Sequence, residues 1–438
     1  MTTIDEANEA VVRELSAAQP VLVDVAPAHA LVPQLAGDAH VLLHACPPID
    51  YPDMVAPIQG SCVGAVLFEG WAEDEASARA LLESGDVSFE CCHDVGAVGP
   101  MGGITSAHMP LVVVENRAHG NRVYSTLNEG IGKVLRSGAY DAEVIDRLRW
   151  QRDVLGPALA AALALTEDGY PLGPVIARAL TMGDELHQRN IAASALFGKD
   201  MAPRLVRAGL DSEVLAEVTD FLGRTDQFFL NLAMAVSKSA ADGAATVADG
   251  TVVTAMCRNG NDFGIRVAAL GDRWFTAPVN TPNGLYFTGF DASQACPDMG
   301  DSAITETCGL GGIAMIASPG VTRFVGAGGF SDALAVSEEM AEIVVGHDPA
   351  HPAPTWDFQG TPLGIDVRKV IATSITPIIN TGIASITPGV GQIGAGTVRA
   401  PLGCFTAVLE ALAEHHGVAD FADAADGEAA AAAESSAQ

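Results

Sequence analysis

Residues 90–116, ECCHDVGAVGPMGGITSAHMPLVVVEN, hold the features that most constrain the fold. The first five bring together two thiols, an imidazole and two carboxyl groups, from Glu90 to Asp94. A glycine-rich turn at 96–103 follows, and the apolar run 111–114 predicts a buried strand. Because loops held by a rigid sheet often form sites, this stretch predicts one edge of an active site in an α/β fold.

Outward from this stretch, the N-terminal part alternates strand-like and helical segments. Strands are predicted at 21–25, 41–44, 63–68 and 87–90, and helices at 1–17 and 74–84. This alternation is typical of βαβ units with a parallel sheet, so we predict a Rossmann-like α/β domain over residues 1–140. A capping-box pattern from Thr126 to Glu129 predicts one more helix, ending at Gly138.

The pattern then changes twice along the chain. Residues 141–245 have helical periodicity and predict a central all-helical domain. Helices are expected at 172–182, 184–197, 200–208, 211–223 and 226–241. Residues 246–416 predict a C-terminal α/β (α+β) domain, in which strands 251–257 and 263–270 form a hairpin around Asn259-Gly260. It continues with helices at 303–316, 331–345 and 401–416, and the acidic, alanine-rich residues 417–438 predict a disordered tail.

Composition excludes several classes of partner. The chain has 438 residues, 49% of them hydrophobic, and a formal net charge of -31. That charge opposes binding to nucleic acid or to an anionic membrane surface. The eight cysteines form no C-x-x-C pair, and neither a signal peptide nor a long apolar run is visible, so we expect reduced thiols and a cytoplasmic protein. We also expect a homo-oligomer, specifically a dimer.

The run Gly183-Asp184-Glu-Leu-His187-Gln-Arg189-Asn190 is the first candidate site. At a helix start, Asp184 and His187 would share one face, and a carboxylate beside an imidazole suits a general base. Arg189 and Asn190 would add hydrogen-bond donors for substrate. The alternative is an ordinary capped helix with solvated polar residues.

A second candidate is the run 297–307, which includes Asp301, Ser302 and Glu306. Carboxylates at a helix start oppose a phosphate, so recognition of an amide, an ammonium group or a metal is more natural, with Asp301 and Ser302 as binding residues. Glu306 would be a catalytic group facing the same ligand. The alternative is an acidic helix start favoured by the helix dipole, which explains the aspartates but not Glu306.

Backbone turns and arginines supply further substrate-binding candidates. Gly102 and Gly103 lie in the first glycine-rich turn, and Gly391 and Gly394 in a literal G-x-G-x-x-G at 389–394. The second motif lacks a clear strand before it and a helix after it, which favours a turn around a small anion over a dinucleotide site. The remaining candidates are the hairpin residues Asn261, Asp262 and Arg266, together with Arg368. Either arginine suits an anion clamp, although most arginines are surface charges.

The Cys92/His93 loop offers a different chemistry. Cys92 would be the nucleophile, with His93 or His108 as its base, and the alternative is a set of buried structural cysteines. No second ligand pair follows at zinc spacing, so we predict neither a metal nor a cofactor. The NTPase, serine-hydrolase and metalloprotease motifs are absent from the sequence.

Several longer runs together resemble the AllG/YlbE/YahG-like family. They are HDVGAVGPMGG at 93–103, LNEGIGKVLRSGAY at 127–140, MGDELHQRN at 182–190, RNGNDFGIR at 258–266, PDMGDSAITET at 297–307, PLGIDVRKV at 362–370 and INTGIASITPGVGQIGAG at 379–396. They follow one another in family order through most of residues 60–410. The first 50 residues and the acidic tail lie outside the resemblance.

The resemblance implies a subunit of an oxamate carbamoyltransferase-like enzyme of purine and allantoin nitrogen catabolism. That reaction converts oxalurate and phosphate into carbamoyl phosphate and oxamate, or the reverse, with FdrA-like and AllH-like partner subunits. The ligands would be a small anionic ureido or amide compound and phosphate. For that chemistry His187, oriented by Asp184, is the candidate base, with His93 as the alternate. Two other hypotheses stay open: a non-catalytic scaffold subunit, and an amidohydrolase or lyase using the Cys92/His93 loop.

Overall fold

The computed structural model describes residues 3–326 and 328–415, and they form a mixed α/β fold. The strands are β1 Pro20–Pro27, β2 Val41–His44, β3 Ser88–Cys91, β4 Ala97–Val98, β5 Pro110–Asn116, β6 Asn121–Thr126, β7 Tyr170–Pro171, β8 Val253–Asn259, β9 Asp262–Val267, β10 Phe275–Pro278, β11 Asn283–Tyr286, β12 Met299–Gly300, β13 Val344–Ala353, β14 Gln359–Ile365, β15 Ile378–Ala384 and β16 Gln392–Arg399. The helices are α1 Ile4–Ser16, α2 Ala28–Leu31, α3 Ala56–Glu69, α4 Glu75–Ser84, α5 Ala142–Trp150, α6 Gly156–Leu163, α7 Gly173–Thr181, α8 Ile191–Arg207, α9 Ser212–Arg224, α10 Phe228–Ala244, α11 Ile304–Thr307, α12 Pro319–Phe324, α13 Phe330–Glu342, α14 Val367–Thr373 and α15 Leu402–His415.

The N-terminal sheet is mainly antiparallel, with the order β4-β6-β5-β1-β7. Strands β5 and β6 form a hairpin, and β1 pairs antiparallel with β5 and β7. Within the described residues only β2–β3 and β4–β6 pair in parallel. The expected parallel sheet is therefore wrong for this main sheet, because residues 117–120 turn the chain straight back instead of crossing over through a helix.

Two predicted elements in this region have a different structure. Residues 63–68 lie inside α3, which starts with Pro57 in its first turn and ends at Gly70 in the left-handed conformation. Nearly all of its side chains are buried, so the sequence has an apolar run without a polar face. Hydrophobic periodicity does not distinguish such a helix from a buried strand. Residues 127–134 are not helical, because the Glu129 carboxylate accepts from the Leu135 backbone N–H instead of capping, and Gly130 and Gly132 have positive φ.

The central region is helical as predicted, but it is not separate from the first sheet. The two-residue strand β7 pairs with β1. Helix α8 begins at Ile191 instead of residue 184 and runs through Gly198 without a break. Helix α10 packs against β5, β6, α1 and α11, and all but one of its 17 residues are buried.

In the C-terminal region the predicted β8–β9 hairpin around Gly260 is confirmed. It belongs to a sheet with the order β10-β9-β8-β12, while β11, β16 and β15 form another. The predicted helix 303–316 is broken after α11, since Gly309 and Gly311 take φ of 75° and 60°, which favours glycine. The last two predicted helices correspond to α13 and α15.

One large apolar core runs through all three predicted domains, from Val11 in α1 through Phe229 in α10 to Leu363 in β14. The boundaries at 140 and 245 remain predictions. None of the described helices has the length and apolar character to cross a bilayer. The predicted tail at 417–438 lies outside the described residues.

Candidate functional site

The centre of the candidate site is a buried pair formed by His187 and Glu306. The His187 Nδ1 atom lies 2.8 and 2.9 Å from the two carboxylate oxygens of Glu306. Both side chains are buried, although 119 positions separate them along the chain. Because an ionised carboxylate only accepts, Nδ1 is the donor of this pair, and in the neutral imidazole Nε2 then keeps a lone pair for proton transfer.

The Glu306 carboxylate is held in place by backbone N–H groups from two neighbouring segments. Its Oε1 atom accepts from the backbone N–H groups of Gly312, at 2.9 Å, and Asn380, at 3.1 Å. At Gly311 a Cβ atom would stand 2.1 Å from Glu306 Oε1, so the turn requires glycine. The irregular segment after α11 therefore brings the carboxylate to the imidazole.

His187 lies on a non-helical loop that a neighbouring carboxylate organises. The Glu185 side chain accepts from the backbone N–H groups of His187, Gln188 and Arg189, at 2.5, 2.6 and 2.9 Å. Asn190 donates from Nδ2 to the His187 carbonyl at 2.9 Å. These bonds hold the imidazole in place before any ligand arrives.

Asp184 does not contact His187, contrary to the predicted pairing. Its carboxylate accepts from the Ala193 N–H at 2.9 Å and so caps α8 from the preceding loop, and the Arg189 Nε atom lies 3.3 Å away. The i, i+3 argument fails because residues 184–190 are not helical. Burial raises the pKa of Asp184 to about 6 and that of Glu185 to about 7.

His187 faces a small polar cavity of about 30 Å³. The other lining residues are Pro100, Met101, Arg136, Gln188, Gln227, Leu230, Met299, Ser302, Thr381, Gly382 and Gln392. The chain contains 54 Asp and Glu residues, yet none of these described lining side chains is a carboxylate. Amides, hydroxyls, one imidazole and one guanidinium make a lining that suits an anionic ligand.

A buried ion pair supports the floor of this cavity. Arg258 donates to both oxygens of Asp298, at 2.6 and 3.1 Å, and its remaining N–H groups reach the Gly300 carbonyl, Ser302 and Thr381. Arg258 and Asp298 are both buried. The predicted residue Ser302 thus lies at the cavity, held by an arginine that does not line it.

Asp301 and His93 meet outside the cavity. Asp301 accepts from the backbone N–H groups of Cys46 and Gly99, at 2.9 and 3.0 Å. Its Oδ1 atom lies 3.8 Å from His93 Nε2. Burial lowers the pKa of His93 to about 3 and raises that of Asp301 well above its usual value, so the neutral imidazole of His93 forms no ion pair with this carboxyl group.

Cys92 is fully buried beside this pair. Burial and the nearby Asp301 raise the pKa of its thiol well above the ordinary value. The described cavities are not lined by Cys92 or His93. This environment is that of a structural thiol instead of an accessible nucleophile.

The two glycine-rich turns lie beside the cavity, and Gly102 and Gly103 in the first turn bond to other backbone atoms. The N–H of Gly102 donates to the Arg136 carbonyl at 2.9 Å, and that of Gly103 to Pro100 at 3.1 Å. Gly391 packs against Gly132, and Gly394 lies in β16 opposite Tyr286. The N–H groups of Gly102 and Gly103 are therefore used within the protein.

The remaining predicted residues lie away from the cavity. Arg266 pairs with Asp94 and stacks on Trp274, with its guanidinium carbon 4.0 Å from the ring centre. Arg368 pairs with Asp366 and Asp5, both at 2.8 Å. These carboxylates neutralise both predicted anion clamps. Asn261 and Asp262 occupy the hairpin tip, where Asn261 donates to the Asp53 carbonyl.

Several lining residues are not among those that the sequence predicts. They are Arg136, Gln188, Gln227, Thr381 and Gln392. Arg136, Gln188, Thr381 and Gln392 fall inside the runs that support the family resemblance, which was the available signal. Gln227 had no such signal, since a lone glutamine near a helix start is common.

The described residues contain no group of three or more His, Cys, Asp or Glu side chains arranged to hold a metal ion. The candidate site thus consists of an acid–imidazole pair, an arginine and neutral donors around a small cavity.

Fold and site together define a mixed α/β protein in which a buried Glu–His pair faces a cavity suited to a small anion. The family model described as oxamate carbamoyltransferase subunit AllG matches residues 87–302. An Escherichia coli K12 protein named oxamate carbamoyltransferase subunit AllG is 60% identical over 417 residues, which are 95% of this chain and 99% of that protein. The chain belongs to the AllG family.

Two further proteins are similar over nearly the whole length. The uncharacterized protein YahG of the same organism is 40% identical over 95% of this chain and 87% of its own. A crystal structure described as a conserved protein of unknown function from Enterococcus faecalis V583 superposes with a TM-score of 0.91 at 43% identity. It covers 94% of this chain and 98% of that one.

Proposed function

We propose that this chain is a subunit of an oxamate carbamoyltransferase and that it contributes the proton-transferring group of the reaction. The enzyme would convert oxalurate and phosphate into carbamoyl phosphate and oxamate, and the reverse, within purine and allantoin catabolism. The observation that supports the catalytic role most directly is the His187–Glu306 pair, which faces a cavity without a carboxylate lining.

Phosphorolysis of oxalurate requires the transfer of one proton from phosphate to the leaving nitrogen. In phosphorolysis a phosphate oxygen attacks the carbamoyl carbon of oxalurate, the bond from that carbon to the oxamate nitrogen breaks, and that nitrogen takes up a proton. His187 Nε2 accepts the proton of the attacking phosphate and returns it to the departing nitrogen. Glu306 keeps the imidazole in the required tautomer and compensates the positive charge that forms on it.

Uncharged hydrogen-bond donors that line the cavity would bind the carbamoyl and amide groups of the substrate. The Ser302 hydroxyl and the side-chain amides of Gln188 and Gln227 line the cavity and can donate to a carbamoyl or amide oxygen, whereas the Thr381 hydroxyl already donates to Asp298 at 2.7 Å. FdrA-like and AllH-like subunits are the partners we expect, and a homo-dimer of this chain remains part of the proposal.

The test is a phosphorolysis assay on oxalurate with the wild-type chain alone and with the two partner subunits. We expect phosphate-dependent formation of carbamoyl phosphate. His187→Gln should lower kcat about 10²- to 10⁴-fold, the usual contribution of a general base. Glu306→Gln should lower kcat with little change in KM, and Glu306→Asp should recover part of the loss. His29→Gln, an exposed imidazole away from the site, is the matched control.

Each other outcome has a definite meaning. Full activity of His187→Gln in the assembled enzyme would leave this chain a non-catalytic scaffold. Turnover without phosphate, abolished by thiol alkylation, would favour an amidohydrolase or lyase. No turnover of oxalurate with both partners present would end the proposal.

A further inference from the structure

Arg136 differs from the other arginines of the predicted and observed site because its guanidinium donates only to uncharged oxygen atoms. Its Nη1 donates to the Asn128 side-chain oxygen at 3.0 Å, and its Nη2 donates to the Gly130 carbonyl. Among the described residues it forms no ion pair with a carboxylate, whereas Arg258, Arg266 and Arg368 each do. The positive charge of Arg136 is thus oriented without being neutralised.

The surrounding electrostatics add to this charge. Burial lowers the pKa of Arg136 to about 10, while Glu129 acts in the opposite direction. The Glu129 carboxylate is occupied by the Leu135 backbone N–H at 3.0 Å and lies 3.9 Å from Arg147. Glu129 therefore pairs with Arg147 and acts on Arg136 only at longer range.

The position of Arg136 is also distinctive. It lines the cavity of His187, and together with Pro100 and Glu129 it lines a second cavity of about 20 Å³. A guanidinium has five N–H groups, and the two bonds to Asn128 and Gly130 use one each, so three remain for a ligand. A planar fork with free donors suits two oxygens of a carboxylate or a phosphate.

We infer that Arg136 is the anion receptor of this site and binds an oxyanion of the substrate in the cavity that it lines with His187. The inference rests on the proposed function for the identity of the ligand and deepens it. The ligand group is either the carboxylate shared by oxalurate and oxamate or the phosphate shared by inorganic phosphate and carbamoyl phosphate. Both are oxyanions that a guanidinium recognises through paired hydrogen bonds.

The test measures binding separately from turnover. Oxamate and inorganic phosphate are each titrated calorimetrically into the full-length wild-type chain and into Arg136→Gln, Arg136→Lys and Arg122→Gln. Arg122 is an exposed arginine paired with Glu115, so Arg122→Gln removes the same charge elsewhere. We expect Arg136→Gln to weaken binding of the anion about 10- to 100-fold and Arg122→Gln to leave it unchanged.

The identity of the anion follows from which titration changes. Loss of oxamate binding alone assigns the carboxylate, and loss of phosphate binding alone assigns the phosphate. Arg136→Lys keeps the charge without the planar fork, so we expect it to lose most of the affinity as well. Unchanged affinity in Arg136→Gln, or in Arg136→Lys if the glutamine variant does not fold, overturns the inference.

If the isolated wild-type chain binds neither anion, KM is measured instead in the enzyme assembled with its partner subunits. A rise of at least about 10-fold in KM for phosphate or oxalurate in Arg136→Lys then supports the inference, and an unchanged KM overturns it. If binding depends on Arg136 but oxalurate is never turned over, the anion site stands and the proposed function fails. If neither binding nor turnover occurs, both fail.

Discussion

At Glu185, burial and hydrogen bonding shift the pKa of the carboxyl group in opposite directions. Its carboxylate organises the His187 loop through three backbone N–H groups. Burial nevertheless raises its pKa from the ordinary 4.5 to about 7. The loop that positions the candidate base is therefore held by a group that takes up a proton near neutral pH.

This gives a pH dependence of stability. Between about pH 4.5 and 7 the folded protein binds a proton at Glu185 that the unfolded chain does not, so this residue lowers the free energy of unfolding as pH rises through that window. The change should be roughly 1–3 kcal/mol. Urea unfolding at pH 5 and pH 7 should show a smaller difference in Glu185→Gln than in the wild type.

The exposed residue Glu338 provides the control, because Glu338→Gln should keep the wild-type difference. Glu185→Gln should also be less stable at both pH values, since an amide cannot accept with both of its terminal atoms. An equal pH difference in all three proteins would show that Glu185 does not titrate in this window.

At the scale of elements, the site depends on the contact between two turns. Gly389 donates its N–H to the Gly138 carbonyl at 2.9 Å, and Gly391 packs on Gly132. The turn at 389–391 thereby supports the 130–138 segment that includes Arg136. The G-x-G-x-x-G motif has a structural role here without a dinucleotide.

Two glycine-to-alanine substitutions distinguish the cost of a left-handed backbone conformation from the cost of a steric clash. Gly391 has φ of 92°, and a Cβ atom there would stand 2.4 Å from the Gly132 carbonyl oxygen. Gly389 has φ of 81° but has no atom within 4 Å of such a Cβ. Gly389→Ala should cost about 1–2 kcal/mol for the left-handed conformation, and Gly391→Ala at least about 1 kcal/mol more.

The measurement is the free energy of unfolding, together with KM for oxalurate and phosphate in the assembled enzyme. Only Gly391→Ala should raise a KM, because only its collision displaces the Arg136 segment. Equal losses of stability in both variants, with unchanged KM values, would contradict this coupling.

At the scale of the whole molecule, α10 joins the regions that the sequence presents as separate. It is apolar over most of its length, and it packs on β5 and β6 of the N-terminal sheet as well as on α1 and α11. A helix that is apolar nearly all round has to be buried, and β5, β6, α1 and α11, which cover part of α10, all lie outside residues 141–245.

Residues 141–245 should therefore not fold as an isolated fragment. We expect no cooperative thermal transition and little near-ultraviolet circular dichroism for this fragment. Residues 1–415, prepared in the same way, should melt cooperatively. A cooperative, monomeric fragment would instead support the predicted domain boundaries at 140 and 245.

Local patterns predicted much of the secondary structure. Helix α1, strand β2 and the β8–β9 hairpin have strong local signals, namely an amphipathic period, an apolar run and an Asn-Gly turn. Helix α3 was mistaken for a strand, because a fully buried apolar run has no polar face to reveal its period. His187 and Glu306 were both identified, since polar residues at the start of apolar segments are conspicuous.

By itself, then, the sequence determined the family, the acidic character, the helical middle region and the types of residue that do chemistry. Only the tertiary structure decided which of them meet. Glu306 reaches His187 across 119 positions through a turn that needs Gly311, while Asp184, three residues away, caps a helix instead. The same holds for charge. Asp94 pairs with Arg266 across 172 positions, and Asp5 joins the neighbouring Asp366 at Arg368, whereas no described carboxylate pairs with Arg136. Ion pairing at such long range has no local signature.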